Sequence, residues 1–149
     1  MQDIKQARDE ILTHLMDKLN GESAIDGMSV LFWGLDEDPP KGVDEDGNPV
    51  AWIRVILSHN DGGQDSLAGD SGKVRVRHAG VLTVEIYEPR GAGGERLDDA
   101  SWAALKALTG ESTPNGAWFR NARRVDYGED GLWFRVDVLA NFEYDTFVS

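Results

Sequence analysis

The chain has 149 residues, a formal net charge of -12 and no cysteine. This length fits a single domain, residues 1–149, that buries one core without covalent staples, and the lack of cysteine excludes disulfides, thiolate zinc sites and a cysteine nucleophile. The acidity is concentrated in residues 1–50, with twelve acids against four bases. It argues against tight binding of free nucleic acid, which requires clustered Lys and Arg.

Residues 3–20 form an amphipathic pattern at the start of the chain. Apolar side chains recur here at spacings of three and four, Asp3 can cap the start and Gly21 can end the segment. The sequence therefore predicts a helix, with His14 on its polar side as a solvated surface histidine. No basic-then-apolar signal segment precedes it, and no apolar run approaches the roughly 18 residues of a membrane span, so we expect synthesis in the cytosol and no membrane partner.

An acidic loop follows a short predicted strand, Val30–Trp33. Residues 36–49 combine six carboxylates with three prolines and two glycines, a composition that excludes a helix or a central strand. The DEDGN segment is similar to the start of an EF-hand, but Val55 stands where the bidentate glutamate should be. A solvated, mobile loop of like charges is favoured over an EF-hand calcium site, and binding of another divalent cation stays open.

Val50–Ser58 is apolar on both faces apart from Arg54, which predicts a central strand with cover on each side. The glycine-rich loop after it, residues 59–72, is predicted to join it to the next strand as an antiparallel hairpin. This loop contains Gly-Asp-Ser-Gly at 69–72, the tetrapeptide that surrounds the nucleophile of chymotrypsin-like proteases. No histidine base in a matching setting accompanies it, so a polar turn is favoured.

The longest regular pattern runs from Lys73 to Arg90. Its even positions are mostly apolar and its odd positions mostly polar, which is the period of a half-buried strand. At about 3.3 Å per residue, this strand would extend past the core of a domain whose radius of gyration is about 15 Å. Two interpretations follow: the strand bends at Gly80 through a kink or bulge, or Lys73–His78 projects as an arm toward another molecule.

A second helix and a hairpin complete the chain. A glycine-rich turn leads into the predicted helix Glu95–Leu108, whose acidic first turn argues against a phosphate site at the glycines. The hairpin is predicted as Trp118–Tyr127, a turn at 128–131 and Leu132–Tyr144. Its first strand carries three arginines, which are expected to form exposed ion pairs with Asp126, Asp137 and Glu143. Together, the elements predict an α+β fold: a mainly antiparallel sheet of four to five strands, with two helices packed on one face.

This order of elements resembles that of the tail terminator proteins of long-tailed bacteriophages. The resemblance is carried by RVRHAGVLTVEIYEPRGAGGERLDDASWAALKAL at 75–108 and GLWFRVDVLANFEYD at 131–145. The matching traits are a basic segment that ends in Gly80, a strand that ends at Pro89, a glycine turn that opens the second helix, and a closing strand that ends in Phe142-Glu-Tyr144. The resemblance covers nearly the whole chain except the loops 36–49 and 59–72.

The resemblance implies a structural virion protein with no catalysis and no cofactor. Such subunits assemble in the host cytoplasm as a hexameric ring in the neck of the virion. The ring caps the tail tube protein, stops tube growth, and performs head-tail joining to the connector or stopper protein, while DNA passes through its lumen without specific binding. A heterologous contact repeated six times by closed symmetry would hold the ring together.

On this interpretation, two sets of charged residues become candidate sites. The arm would pack on the neighbouring subunit, and acids of the loop would line the lumen and repel passing DNA. The candidate interface residues are Lys73, Arg75, Arg77, His78, Arg123 and Arg124. The candidate lumen residues are Asp36, Glu37, Asp38, Asp44, Glu45 and Asp46.

Three alternatives to the terminator compete for the same sequence features. Another neck or tail-completion ring protein would share every trait above. An acidic inhibitor that mimics DNA would need its acids along one stable surface, whereas half of the carboxylates in residues 1–50 lie in the loop 36–49. An enzyme is disfavoured because the three histidines are scattered and no Asp/Glu/His cluster has metal-ligand spacing.

Overall fold

The computed structural model describes residues 3–32, 44–64 and 74–148, with the backbone alone for residues 61–64. Helix α1 is Ile4–Asn20, and a short 3-10 helix, Ser23–Ile25, follows it. Asp3 caps α1 through a reciprocal pair of bonds: its carboxylate accepts from the Gln6 backbone N–H, and the Gln6 side chain accepts from the Asp3 N–H. The predicted first helix is confirmed.

Five strands form one sheet in the order β1-β2-β3-β5-β4. Strand β1 runs parallel to β2, and all other neighbours are antiparallel. The predicted α+β class with a mainly antiparallel sheet is therefore confirmed. The strand bounds are β1 Ser29–Phe32, β2 Trp52–Gln64, β3 Val74–Pro89, β4 Trp118–Asp130 and β5 Trp133–Val148.

The core lies on one face of this sheet, as predicted. Helix α2, Glu95–Leu108, starts and ends where its sequence pattern indicates, and both helices bury their apolar stripes against the same side of the strands. Each layer contributes fully buried side chains, which removes apolar surface from water at roughly 25 cal/mol per Å². They include Ile11 and Leu15 from α1, Ala100 and Ala104 from α2, and Ile53, Val84, Val138 and Phe142 from the sheet.

Three predicted boundaries are wrong because strand pairing continues past local turn signals. Strand β2 continues to Gln64 through the first part of the predicted loop, and β5 continues to Val148 instead of ending at Tyr144. The β4–β5 hairpin turns at residues 131–132, since Asp130 pairs with Trp133. Gly128, predicted in the turn, lies at a register shift within β4.

Gly80 is a site of close approach, and the predicted bulge falls on the neighbouring strand. The register of β2 against β3 shifts between His59 and Asp61, opposite Gly80, whereas β3 pairs with β5 without interruption. A Cβ built at Gly80 would lie 2.0 Å from the Ser58 carbonyl oxygen and 2.6 Å from Cζ of Phe142. Glycine is therefore required here by packing against β2 and β5.

The sheet narrows toward one end. Strand β1 pairs only with residues 52–55 of β2, and β4 reaches along β5 only as far as Glu143. Beyond that row, the described sheet consists of residues 62–64, 74–78 and 144–148, which we call the arm. The arm contains the described part of the segment predicted to project, and Lys73 lies outside the described residues.

Two further expectations are corrected by the packing. His14 is not a solvated surface residue: its Nε2 lies 3.1 Å from the Ala107 carbonyl oxygen and its ring packs on Phe119, because α2 and β4 close over this side of α1. Strand β2 lacks the predicted cover on both sides, since in the described part of the chain both helices pack on one face. No helix in that part is long and apolar enough to cross a membrane.

Candidate subunit interface

Arg75 and Arg77 lie on the side of the arm that faces away from the helices. Both are paired with Asp145 of β5: Nε of Arg77 is 3.1 Å from one carboxylate oxygen, and Nε of Arg75 is 4.0 Å from the other. The Arg77 guanidinium also lies 5.6 Å from the centre of the Trp118 ring. The structure therefore brings these two predicted interface residues together at one place on the surface.

His78 lies on the opposite side of the arm. Its Nε2 is 2.8 Å from the Thr146 hydroxyl oxygen, and its ring stacks on Tyr144. Next to it, Nε2 of His59 is 2.5 Å from the Tyr144 hydroxyl oxygen. Burial raises the pKa of the Tyr144 phenol to about 12, so the hydroxyl keeps its proton. His78 thus faces the helix side and does not share a surface with Arg75.

Arg123 and Arg124 separate onto the two faces of the edge strand β4. Arg123 lies opposite Leu139 on the side away from the helices and donates to the Asn141 side chain. Arg124 lies on the helix side, 2.6 Å from Asp98 of α2 and 2.7 Å from Asp126. The sequence pattern predicts ion pairs across strands, but Arg124 pairs with Asp126 along β4 itself. Arg120 of β4 does form a cross-strand ion pair, with Glu143 of β5 at 3.6 Å.

Half of the predicted lumen acids fall within the described residues. Asp44, Glu45 and Asp46 form an exposed turn. The Asp44 carboxylate accepts from the backbone N–H groups of Asp46 and Asn48, each at 2.9 Å, so this side chain fixes its own loop. Asp36, Glu37 and Asp38 lie outside the described residues, as does the 69–72 tetrapeptide.

The sheet surface opposite the helices, which we call the open face, carries a charged cluster that the sequence analysis missed. Glu85 of β3 is 3% exposed. Each of its two carboxylate oxygens accepts a hydrogen bond from one arginine, with a nitrogen-oxygen distance of 2.5 Å. The donors are Arg54 of β2 and Arg135 of β5. Arg135 also donates to Asp137, and the Tyr87 hydroxyl donates to Glu85. Asp137, predicted to pair with an arginine of β4, is thus held by Arg135 of its own strand.

These contacts fix the protonation of the groups around Glu85. Burial raises the pKa of the Tyr87 phenol above its usual range, and the Glu85 charge raises it further. Burial acts to lower the pKa of Arg135, but the hydrogen bond to Asp137 and the charge of Glu85 outweigh it and raise the pKa. The signal available in the sequence was a charged residue at matching alternate positions of three strands, which becomes visible only once the register is known.

Aromatic and aliphatic side chains complete the open face. Trp52 stacks on Tyr87 with ring centres 4.1 Å apart, and Trp133 meets both edge-on at one end. Tyr127 lies under the Arg135 guanidinium at 4.1 Å and is 56% exposed. Other apolar side chains on this face are half-buried or exposed: Ile56, Val81, Val125, Leu139 and Phe147.

The open face has the composition of a surface that binds another protein. Protein interfaces combine aromatic anchors and arginines with charges that are already paired. Among the described residues, no group of three or more His, Cys, Asp or Glu side chains is arranged to hold a metal ion.

The fold and this face define an α+β protein with one sheet surface left open. The chain is similar over 100% of its length to a solved structure of a protein designated only by an identifier, at 14% sequence identity and a TM-score of 0.68, with 99% of that chain covered. Over 93% of its length it is similar to a chain described as "Virion of native gene transfer agent (GTA) particle", at 17% identity and a TM-score of 0.49, with 97% of that chain covered. The first likeness shows a shared fold and nothing about function, and nothing is concluded from the second. No family model and no curated protein matches the chain.

Proposed function

We propose that this chain is a structural virion protein: the tail terminator of a long-tailed phage, which assembles as a hexameric ring on the end of the tail tube. The ring stops tube growth and joins the tail to the head connector, and DNA passes through its lumen. The sequence resemblance at 75–108 and 131–145 supports this assignment.

The observation that carries the proposal is the open face together with the arm. In the described part of the chain, five strands are covered by helices on one side, while the other side presents Tyr127 and Phe147 to solvent beside the largely buried cluster around Glu85. A subunit that works inside a ring needs a large surface for its neighbours, and exposed aromatic side chains beside paired charges supply one.

We propose a structural role and not a catalytic one, because the acidic group of the polar cluster, Glu85, is already bonded to arginines of the same chain. Both oxygens of Glu85 are bonded to arginines, which leaves this carboxylate without a position for a substrate proton. A general base must reach the proton that it removes. The cluster instead fixes three strands of the open face in one register.

Tube-capping assays test the proposal directly. Purified tail tube protein is polymerised with and without this chain, and tube length and end structure are read by electron microscopy. We expect a ring on one end of each tube and shorter tubes as the chain is added. Tubes of unchanged length with bare ends would contradict the proposal, and a ring bound to the head connector but absent from tube ends would assign the chain to another position in the neck.

A matched pair of variants connects the assay to the arm. Arg77→Glu removes one ion pair of the arm, with Asp145 at 3.1 Å, and Lys106→Glu removes one ion pair elsewhere, with Glu22 at 2.9 Å. Both make the same change in charge at a partly exposed side chain. We expect Arg77→Glu to reduce ring formation on tube ends and Lys106→Glu to leave it unchanged.

A further inference from the structure

The arm ends in two exposed apolar side chains. Phe147 is 46% exposed on the open face and Val148 is 54% exposed on the other side of the same strand. Here β5 pairs with β3 alone among the described strands, with Arg75 directly opposite Phe147. An exposed phenylalanine beside an arginine is the composition of an interface anchor, and burying an aromatic side chain removes roughly 150–250 Å² from water.

An apolar recess of about 440 Å³ lies at the other end of the same strand. The turn between β3 and α2 forms one wall, where Gly91, Gly93 and Gly94 all have positive φ and present backbone without side chains. Leu97, Phe134 and Val136 form the rest of its apolar lining, and Phe134 is 37% exposed in the absence of an occupant.

The rim of the recess carries carboxylates beside an arginine. Asp126 and Arg124 line the recess, and Asp98 bonds to Arg124; the side chains of Asp98 and Asp126 are 67% and 71% exposed. The other charged lining residue, Arg135, is already paired with Glu85 and Asp137 on the open face. A guanidinium has five donors and can serve more than one carboxylate. If the Phe147 side chain enters the recess, Arg75, which lies directly opposite it on β3, comes close to these carboxylates. Arg75 can bond to them and keep its present partners.

Phe147 cannot reach the recess of its own chain. Phe134 and Phe147 lie thirteen positions apart on one continuous strand, a separation of roughly 40 Å. A Phe147 side chain that enters the recess must therefore come from the arm of a second copy. A contact between different surfaces at opposite ends of a subunit is heterologous, and it produces a closed ring when the rotation between copies permits closure.

We propose that the Phe147 end of each arm inserts into the recess between the glycine turn and Phe134 of the next copy, and that this contact joins successive subunits. This inference rests on the proposed ring and adds which surfaces meet. It assigns the glycine turn to the acceptor side and the arm to the donor side.

Engineered cysteines test this contact sharply because the chain has no cysteine of its own. The double variant Phe134→Cys with Phe147→Cys cannot form an internal disulfide, since the two Cα atoms must approach within about 7 Å. On tube ends, oxidation is expected to give a covalent ladder that rises in single-subunit steps to the full ring. Each single variant should give at most dimers.

The control pair is Val50→Cys with Phe147→Cys. Val50 is 37% exposed, the same as Phe134, and it does not line the recess. Rings that form on tubes and crosslink no better through Phe134 than through Val50 would overturn the proposed contact and leave the ring intact. Absence of any ring on tubes with the natural chain would overturn the proposed function as well.

A second variant needs no engineered disulfide. Phe147→Ser is expected to raise the concentration needed for half-maximal ring formation by at least about tenfold, the effect of losing an interface anchor. Ile4→Ser removes an apolar side chain of similar exposure, 53%, from α1 and is expected to change nothing. Equal effects of the two substitutions would contradict the insertion of Phe147.

Discussion

Glu85 is the residue on which the open face depends most. Its carboxylate is buried between two arginines from different strands, and the Tyr87 hydroxyl supplies a third bond. Removing one member of a buried set of charges lowers the free energy of unfolding by more than the intact set contributes to it, because the remaining charges stay buried without a partner. The position therefore constrains both stability and the shape of the face.

Replacing Glu85 by glutamine should lower the free energy of unfolding by about 3 kcal/mol, because two arginines would then share a neutral side chain. The control is Glu129→Gln, which breaks the exposed pair with Arg90 and should change stability by less than about 0.5 kcal/mol. Urea denaturation of both variants measures the difference. Equal stability of the two variants would show that the cluster is not a coupled unit.

His59 makes the stability of the region next to the arm depend on pH. Burial lowers its pKa, and the charges of His78 and Arg8 lower it further. The unfolded chain, with a pKa of about 6.5, therefore takes up this proton more readily than the folded chain. This contribution to stability is complete above pH 6.5 and is lost as the pH falls toward the folded pKa.

Urea midpoints measured from pH 7 to pH 5 should therefore fall more steeply for the natural chain than for His59→Gln. Titration of the His59 ring by NMR gives the folded pKa directly. A folded pKa at or above the unfolded value, with parallel midpoints for the two proteins, would contradict this account of the His59 site.

At the scale of elements, the bounds of a helix or strand could be predicted where they depend on neighbouring residues in the sequence. Helix α2 has the predicted bounds because its acidic first turn and its apolar spacing are local properties. The ends of β2 and β5 were missed because they depend on partners up to about 70 positions away, such as Val148 opposite Val74. Glycine-rich sequence at 62–63 signals a turn, yet pairing with β3 keeps these residues in a strand.

Gly80 gives the sharpest test at this scale. Gly80→Ala places a methyl group 2.0 Å from the Ser58 carbonyl oxygen, so β2 and β3 must separate, and we expect a loss of at least about 3 kcal/mol in the free energy of unfolding. Gly21→Ala is the control, since its new methyl group would meet its nearest neighbour at 3.7 Å. Thermal melts of the two variants with similar midpoints would show that the strands accommodate a side chain here.

At the scale of the whole molecule, the sequence predicted the fold class, and the structure brings two of the candidate interface residues, Arg75 and Arg77, together. The β3 part of the arm and its arginines follow from alternation and length along one strand. The open-face cluster and the recess do not, because Arg54, Glu85 and Arg135 come together only through the register of three strands. The recess likewise joins the glycine turn to the β4–β5 hairpin, which are separated in sequence by α2.

The mass of the chain in the presence of tail tubes tests the central claim most directly. Light scattering across a concentration series, with and without purified tube ends, distinguishes the 16.4 kDa subunit from a sixfold assembly of about 98 kDa. The account predicts the sixfold mass, either in solution or on tube ends, and its loss in Phe147→Ser. A chain that stays monomeric at every concentration and does not bind tube ends would contradict it.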